Sequence, residues 1–323
     1  MTQVVIGIDI GGTFTKYGFV DRNGKIYTEG SISTSAHEKV EDFLKDLSKS
    51  IQASLEKFPD LEVIAIGVGA PNGNYYNGTI EFAPNLNWKG IVPLTDLMYK
   101  YFHVPAVLTN DANAAALGEM IYGGAKNMKN FIEITLGTGL GSGLVVNGEV
   151  VYGHDGFAGE LGHLTVKRNG RQCGCGRRGC LETYASATGI KRTVFKLLAD
   201  SLEESKLRSI PYDKLTAEMI SKAATEGDKI ALMAFEYTGS MLGYALAESV
   251  AHLSPEAIFL FGGLAKAGNF ILNPTRQYME DNLMQIYKNK VKVLLSELND
   301  VNAAVLGSAA LAWKEIEKGT LHP

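Results

Sequence analysis

The chain has 323 residues, 46% of them hydrophobic and 20% charged, with 36 glycines, three cysteines and a formal net charge of −4. That acidic balance supplies no basic face for a nucleic-acid backbone, and about 150 residues per domain points to two domains with a sizeable core that needs no disulfides. The opening MTQVVIGIDIGG has no basic leader and is broken by Asp9 and two glycines. No export signal and no membrane span is therefore expected, and the cysteines are expected to stay reduced in the cytoplasm.

Residues 3–10 (QVVIGIDI) are β-branched and apolar enough for a buried strand. Gly11-Gly12-Thr13 then leads to a second apolar run at 17–20, a DRNG turn and a third strand over 26–33. From His37 to Phe58 the apolar positions keep helical spacing, which predicts an amphipathic helix. A strand at 62–68 follows, then a Gly/Asn/Pro-rich loop across 71–90, a short helix, a strand at 106–109 and a helix opening at Asn110-Asp111. At Phe131 the pattern starts again: Ile8, Ile10 and Gly11 match Ile134, Leu136 and Gly137, which suggests two related halves. Helices are predicted at about 182–199, 216–226 and 229–252, then a strand at 257–263, a helix near 270–287, a strand at 291–298 and a last helix from Asn302 to Glu317. The long helix at 229–252 suits either a buried core position or a subunit interface.

Chemistry concentrates in a few stretches. The segment Glu160–Glu182 holds all three cysteines, Cys173, Cys175 and Cys180, and His163 precedes Cys173 by ten residues. Three thiolates and an imidazole make a closed tetrahedral zinc set, and Gly174, Gly176 and Gly179 let so short a loop fold tightly. Three free thiols in an ordinary loop is the plainer alternative, but it explains neither the spacing nor the glycines. Two glycine turns, Gly11-Gly12-Thr13 and Gly137-Thr138-Gly139, each follow an apolar strand, with Lys16 and the threonines adding donors. Such turns can line a concavity with backbone N–H groups that cradle phosphate oxygens. Gly262-Gly263, after the strand FLF, suits close approach of a flat nucleotide base.

The stretches DIGGTFTKYGFVD, TNDANAAALGE, LGTGLGSGLVVNGEVVYG, GELGHLTV, CGCGRRGCLE and FGGLAKAG, in this order, resemble the ROK family of sugar kinases within the actin/hexokinase-like ATPases. The continuation ETYASATGI is most similar to its glucokinase branch. The resemblance implies a two-domain α/β (ribonuclease H-like) fold with a cleft between the domains and a small zinc loop. Domain one is expected over 1–110, completed by the last helix (302–323), and domain two over 111–301, carrying the loop 160–182. It implies ATP, Mg2+ and structural Zn2+ as cofactors. Asp9 would orient the magnesium; Gly11, Gly12, Thr13 and Lys16 would face the phosphates from one side and Gly137, Thr138 and Gly139 from the other. Gly262 and Gly263 would lie against adenine and ribose.

Asp111 matches the family's general base. A helix N-cap is the other role open to it, which Asn110 or Thr109 could take instead. Asn85, Asn110, Asp111, Glu160, His163 and Glu182 would hold the sugar, with His163 also binding zinc beside the three cysteines. The expected reaction is phosphorylation of glucose to glucose 6-phosphate by a homodimer, with no nucleic acid and no membrane as partner. The alternatives are kinases for N-acetylmannosamine, mannose, allose or fructose and, from another class, a sugar-sensing repressor, for whose preceding DNA-binding module Asp9 leaves no room. Asn72 and Phe14 depart from the family pattern, where glycine and lysine are common; Lys16 alone would then carry the phosphate-facing charge.

Overall fold

The computed structural model describes residues 1–298 and 303–321; Asn302, residues 299–301 and the last two residues of the expected C-terminal helix fall outside them. The chain divides into two compact units: Met1–Asn127 with Val150–Ala158 and Glu297–Pro323, and Met128–Glu149 with Gly159–Ser296.

The first unit contains β1 (Thr2–Ile10), β2 (Phe14–Val20), β3 (Ile26–Ser33), α1 (Val40–Leu55), β4 (Leu61–Ala70), the short strands β5 (Gly73–Asn74), β6 (Thr79–Glu81) and β7 (Ile91–Val92), α2 (Leu94–Phe102), β8 (Ala106–Asn110) and α3 (Asp111–Tyr122). Its main sheet has the order β3-β2-β1-β4-β8. The first three strands form an antiparallel meander, and β1, β4 and β8 run parallel. Side chains alternate across a strand, so Val4, Ile6, Ile8 and Ile10 of β1 share one core with Phe43, Leu44 and Leu47 of α1. On the opposite face, a Cβ on Gly7 would lie 2.1 Å from the Val305 carbonyl, and one on Gly67 1.8 Å from that of Ser308. Glycine at both positions lets the chain's last helix, α8 (Ala303–Glu317), rest directly on the sheet.

That helix also decides where the first unit ends. Gly307 sits against the backbone of Ala114 in α3, so α3 belongs with the first unit, which runs to Asn127. From the sequence, the second domain is expected to begin at residue 111. Val150–Ala158 also joins the first unit: Tyr152 stacks on Tyr75 with ring centroids 4.0 Å apart, and the Tyr76 hydroxyl donates to the Gly153 carbonyl at 2.8 Å. The expected loop across 71–90 is more ordered than its composition suggests, because it holds the sheet β5-β6-β7. Buried Asn74 organises it, accepting from the Tyr76 and Asn77 N–H groups at 3.0 and 3.3 Å and donating to the Asp155 carbonyl at 2.8 Å.

The second unit is built from β9 (Phe131–Leu136), β10 (Leu140–Val146), β11 (Glu149–Val150), α4 (Ala187–Asp200), α5 (Ala217–Thr225), α6 (Lys229–Leu253), β12 (Ala257–Phe261), α7 (Asn269–Asn282) and β13 (Lys292–Leu295). Its sheet order, β11-β10-β9-β12-β13, repeats that of the first. β9 and β10 are antiparallel, while β9, β12 and β13 are parallel. The thin sequence repeat is thus a repeated topology. The helix predicted from residue 182 begins at Ala187, after a single 3-10 turn at Leu181–Thr183, because the Ser186 hydroxyl caps it by accepting from the Gly189 N–H at 2.9 Å. Helix α6 is buried along much of its length, through Ile230, Ala234, Phe235, Leu242, Leu246 and Val250, with Met233 and Tyr244 reaching solvent. Among the described residues no helix is long and apolar enough to cross a membrane.

Candidate active site

The residues expected to carry chemistry fall into two groups, one per unit. In the first unit, Asp9 near the end of β1 pairs in register with Lys16 on β2, and Gly11-Gly12-Thr13 forms the turn between them. The Gly11 N–H donates to the Phe14 carbonyl at 3.0 Å, closing the turn. A Cβ on Gly12 would stand 2.7 Å from the Asn85 carbonyl, so glycine there brings the turn against the loop that carries Asn85. Burial first, and then the negative charge of Asp111, push the Asp9 carboxyl up to about 6, with Lys16 opposing. Asp9 and Asp111 are thus electrostatic neighbours although 102 positions separate them by number.

Asn110 ends β8 in an extended conformation, and its side-chain oxygen accepts from the Ala112 N–H at 2.8 Å, which makes it the N-cap of α3. Asp111 is the first residue of the helix; its Oδ1 shares that N–H at 2.8 Å. The capping role therefore rests on Asn110, and the Asp111 side chain stays exposed at the helix N-terminus. Its carboxyl is nonetheless raised above the ordinary range, because surrounding protein thins the water about it; the Ala112 hydrogen bond opposes that rise. Phe14, where a lysine is common in the resembling family, is 58% exposed.

In the second unit, His163, Cys173, Cys175 and Cys180 converge, with one ligand atom of each lying within 4.8 Å of the others. The Cys175 and Cys180 sulfurs are 3.7 Å apart, and Cys173 Sγ is 3.7 Å from His163 Nδ1. A tetrahedron with Zn–S bonds of about 2.3 Å has an S···S edge of about 3.8 Å, so the set fits a four-coordinate zinc. The three thiols are free rather than paired in a disulfide. Bridges Thr165↔Cys180 and Gln172↔Arg178 close the loop, and Gly176 and Gly179 adopt φ of +88° and +78°, where a side chain is strained. At Gly179 a Cβ would also meet the Lys167 carbonyl at 1.8 Å.

The His163 ring faces two ways. Nδ1 points to Cys173 and lies 3.8 Å from Glu182 Oε1, while Nε2 lies 3.9 Å from Glu160 Oε2. Glu182 is half-buried, and its Oε1 accepts from the Cys173 thiol at 2.9 Å; burial and then this hydrogen bond push that thiol up. The exposed turn Gly137-Thr138-Gly139 closes with a Gly137 N–H to Gly139 carbonyl bond of 3.1 Å. Gly262, at φ +99°, packs on the backbone of Leu136, and the Leu264 N–H donates to the Leu136 carbonyl at 3.1 Å. This brings Gly262-Gly263 to the end of β9, beside the start of the turn.

Arg171 is a residue of this site that no motif in the sequence marks. Its guanidinium donates to the Thr183 and Gly189 carbonyls at 2.7 and 3.0 Å and to the Thr193 hydroxyl at 2.9 Å, and covers the Tyr184 ring at 4.6 Å. It thereby fastens the cysteine loop to the start of α4. Only its place two residues before Cys173 signalled it, since an arginine among Arg168, Arg177 and Arg178 reads as surface charge.

The ROK family model matches residues 5–315. A glucokinase of Halalkalibacterium halodurans is 36% identical over 326 residues, covering 97% of this chain and 97% of its own length. A xylose repressor of Caldicellulosiruptor bescii is 31% identical over 97% of this chain and 78% of its own length. A ROK family glucokinase from Streptomyces griseus, solved in complex with glucose and AMPPNP, has a TM-score of 0.82 and 31% identity, covering 96% of this chain and 99% of that one. With the family model spanning nearly the whole chain, and with relatives above 30% identity that align along it, the protein belongs to the ROK family.

Proposed function

We propose that this protein is a sugar kinase of the glucokinase type, which transfers the γ-phosphoryl group of ATP to glucose to form glucose 6-phosphate. The observation that carries the reading is Asp111: a carboxylate at the head of α3, relieved of sole capping by Asn110 and held above the ordinary carboxylate range. A base whose pKa lies nearer the working pH takes a hydroxyl proton more effectively, and positioned general bases contribute about 10²–10⁴ in rate. The glucokinase relatives and the Streptomyces complex with glucose and AMPPNP support the choice of substrates.

Asp111 takes the proton of the attacking sugar hydroxyl. Asn85, Asn110, Glu160, His163 and Glu182 hold the remaining hydroxyls. Gly11, Gly12 and Thr13, with Gly137, Thr138 and Gly139, present backbone N–H groups to the phosphates, Lys16 adds positive charge, and Gly262 and Gly263 receive adenine and ribose. Magnesium, oriented by Asp9, would neutralise the phosphate oxygens, the main electrostatic demand of phosphoryl transfer. His163, Cys173, Cys175 and Cys180 would hold a structural zinc. The two units are read as the kinase's two domains, and the working protein as a cytoplasmic homodimer, which sedimentation analysis tests.

The xylose repressor relative supports a second reading, a sugar-binding regulator without turnover. A coupled ADP-release assay across glucose, N-acetylmannosamine, mannose, allose and fructose separates the two. Turnover with preference for glucose is expected. No turnover on any sugar leaves the regulator, and preference for another sugar replaces glucose as substrate.

A further inference from the structure

We infer that Glu182 is a positioning residue that ties the metal loop to the turn Gly137–Gly139, so that the metal site acts on nucleotide binding as well as on the sugar. The inference rests on the reading of that turn as a phosphate cradle. The two oxygens of Glu182 face different structures. Oε1 lies 2.9 Å from Cys173 Sγ and 3.8 Å from His163 Nδ1, against two of the four candidate metal ligands. Oε2 lies 2.7 Å from where a Cβ on Gly139 would stand, so one carboxylate spans the cysteine loop and the last residue of the turn.

The main chain repeats the connection. The 3-10 turn carrying Glu182 is anchored by the Leu181 N–H to the Leu164 carbonyl at 2.9 Å and the Thr183 N–H to the Cys180 carbonyl at 3.0 Å. The Ser186 hydroxyl donates to the Glu182 carbonyl at 2.7 Å. One residue on, the Ala187 N–H donates to the Gly137 carbonyl at 2.9 Å, reaching the first residue of the same turn. At the other end of the ligand set, Gly162 packs so closely on the Leu140 carbonyl that a Cβ would approach to 2.2 Å. Gly162 adjoins His163, and Leu140 follows Gly139. His163 therefore adjoins a residue packed against the turn's first flanking residue, and Cys180 stands two positions from Glu182, which faces the turn itself. A loop opened by loss of its metal loses its hold on both.

The experiment measures ADP affinity by titration calorimetry on the full-length, zinc-loaded protein without sugar, so that a role of Glu182 in holding sugar does not enter. Glu182→Ala is expected to weaken ADP binding about fivefold, within the range of coupling carried by packed side chains, while metal analysis still finds zinc. Gly139→Ala places a Cβ against Glu182 and is expected to weaken binding too. The double variant should lose no more than Glu182→Ala alone, because the obstructing carboxylate is gone. If the alanine variant sheds zinc, Glu182→Gln, which keeps the chain length, supplies the same comparison. Gly137→Val tests the underlying reading by itself, since a Cβ there meets nothing within 4 Å. Unchanged ADP affinity in Gly137→Val removes the phosphate cradle and the inference with it. Impaired binding there, beside Glu182→Ala within twofold of wild type, overturns the coupling alone.

Discussion

The two glycine turns occupy the same place in two sheets of the same strand order, yet they are built from different materials. In the first unit the turn follows Asp9, whose cross-strand partner is Lys16. In the second, the matching positions are Thr135 and its partner Gly141, which carry no charge. The first turn packs on the backbone of Asn85; the second packs beside a carboxylate that borders the cysteine loop. A duplicated framework has thus kept its geometry while one copy holds the charged groups and the other depends on bracing from outside its sheet. Topology survives divergence because the hydrogen-bonded order of strands tolerates almost any apolar side chain, whereas charge placement depends on single residues.

Five variants test that contrast. Asp111→Asn strikes the charged copy at its chemical centre. We expect kcat to fall about 10²–10⁴-fold, with glucose and ADP affinities nearly unchanged; retained turnover in steady-state kinetics would remove Asp111 as the base. Cys175→Ser strikes the braced copy. Loss of a structural metal ligand couples directly to folding, so the variant should bind less zinc by elemental analysis, melt at lower temperature and lose glucose affinity. A variant that binds glucose normally would make the loop pure architecture.

Lys16→Met removes the one cation of the first turn. An exposed charge is worth at most about 1 kcal/mol, so the KM for ATP should rise up to roughly fivefold with the KM for glucose unmoved. The smallest effect concerns stability and pH. The Asp9 carboxyl titrates near 6 in the folded chain, above the 3.8 of a free side chain. The folded state therefore holds that proton more tightly than the unfolded one, and the stability this supplies is complete below about pH 3.8 and lost as pH rises through about 6. In protein free of magnesium and nucleotide, Asp9→Asn should melt a few degrees higher than wild type at pH 7.5, and the advantage should shrink toward pH 4. Thr135→Ala, at the matching position, should show no such pH-dependent gap; equal behaviour of the two would erase the contrast.

Much of the fold was legible because it rests on local pattern. Apolar alternation and β-branching marked the strands, helical spacing at Val40, Phe43, Leu44, Leu47 and Ile51 marked α1, and Asn110-Asp111 marked the start of α3. The candidate metal ligands were legible because thiols clustered around glycines have few other uses, and His163, Cys173, Cys175 and Cys180 do come together. The sheet inside residues 71–90 was not, since its organiser is one buried asparagine bonded to Asp155, far along the chain. Arg171 was hidden for a similar reason: its partners at Thr183, Gly189 and Thr193 lie across a turn that only the folded loop makes.

The class of fold, the two glycine turns, the candidate metal donor set and the family resemblance can all be read from the residues, because each is a property of positions close together in the chain. The folded chain was needed to show that α3, Val150–Ala158 and α8 belong to the first unit and that Glu182 stands beside Gly139. Each of these depends on backbone approaching backbone or side chain across long sequence separations. Glycine makes such approach possible at Gly67, Gly139 and Gly307, but a glycine in a sequence does not say what will occupy the space it leaves.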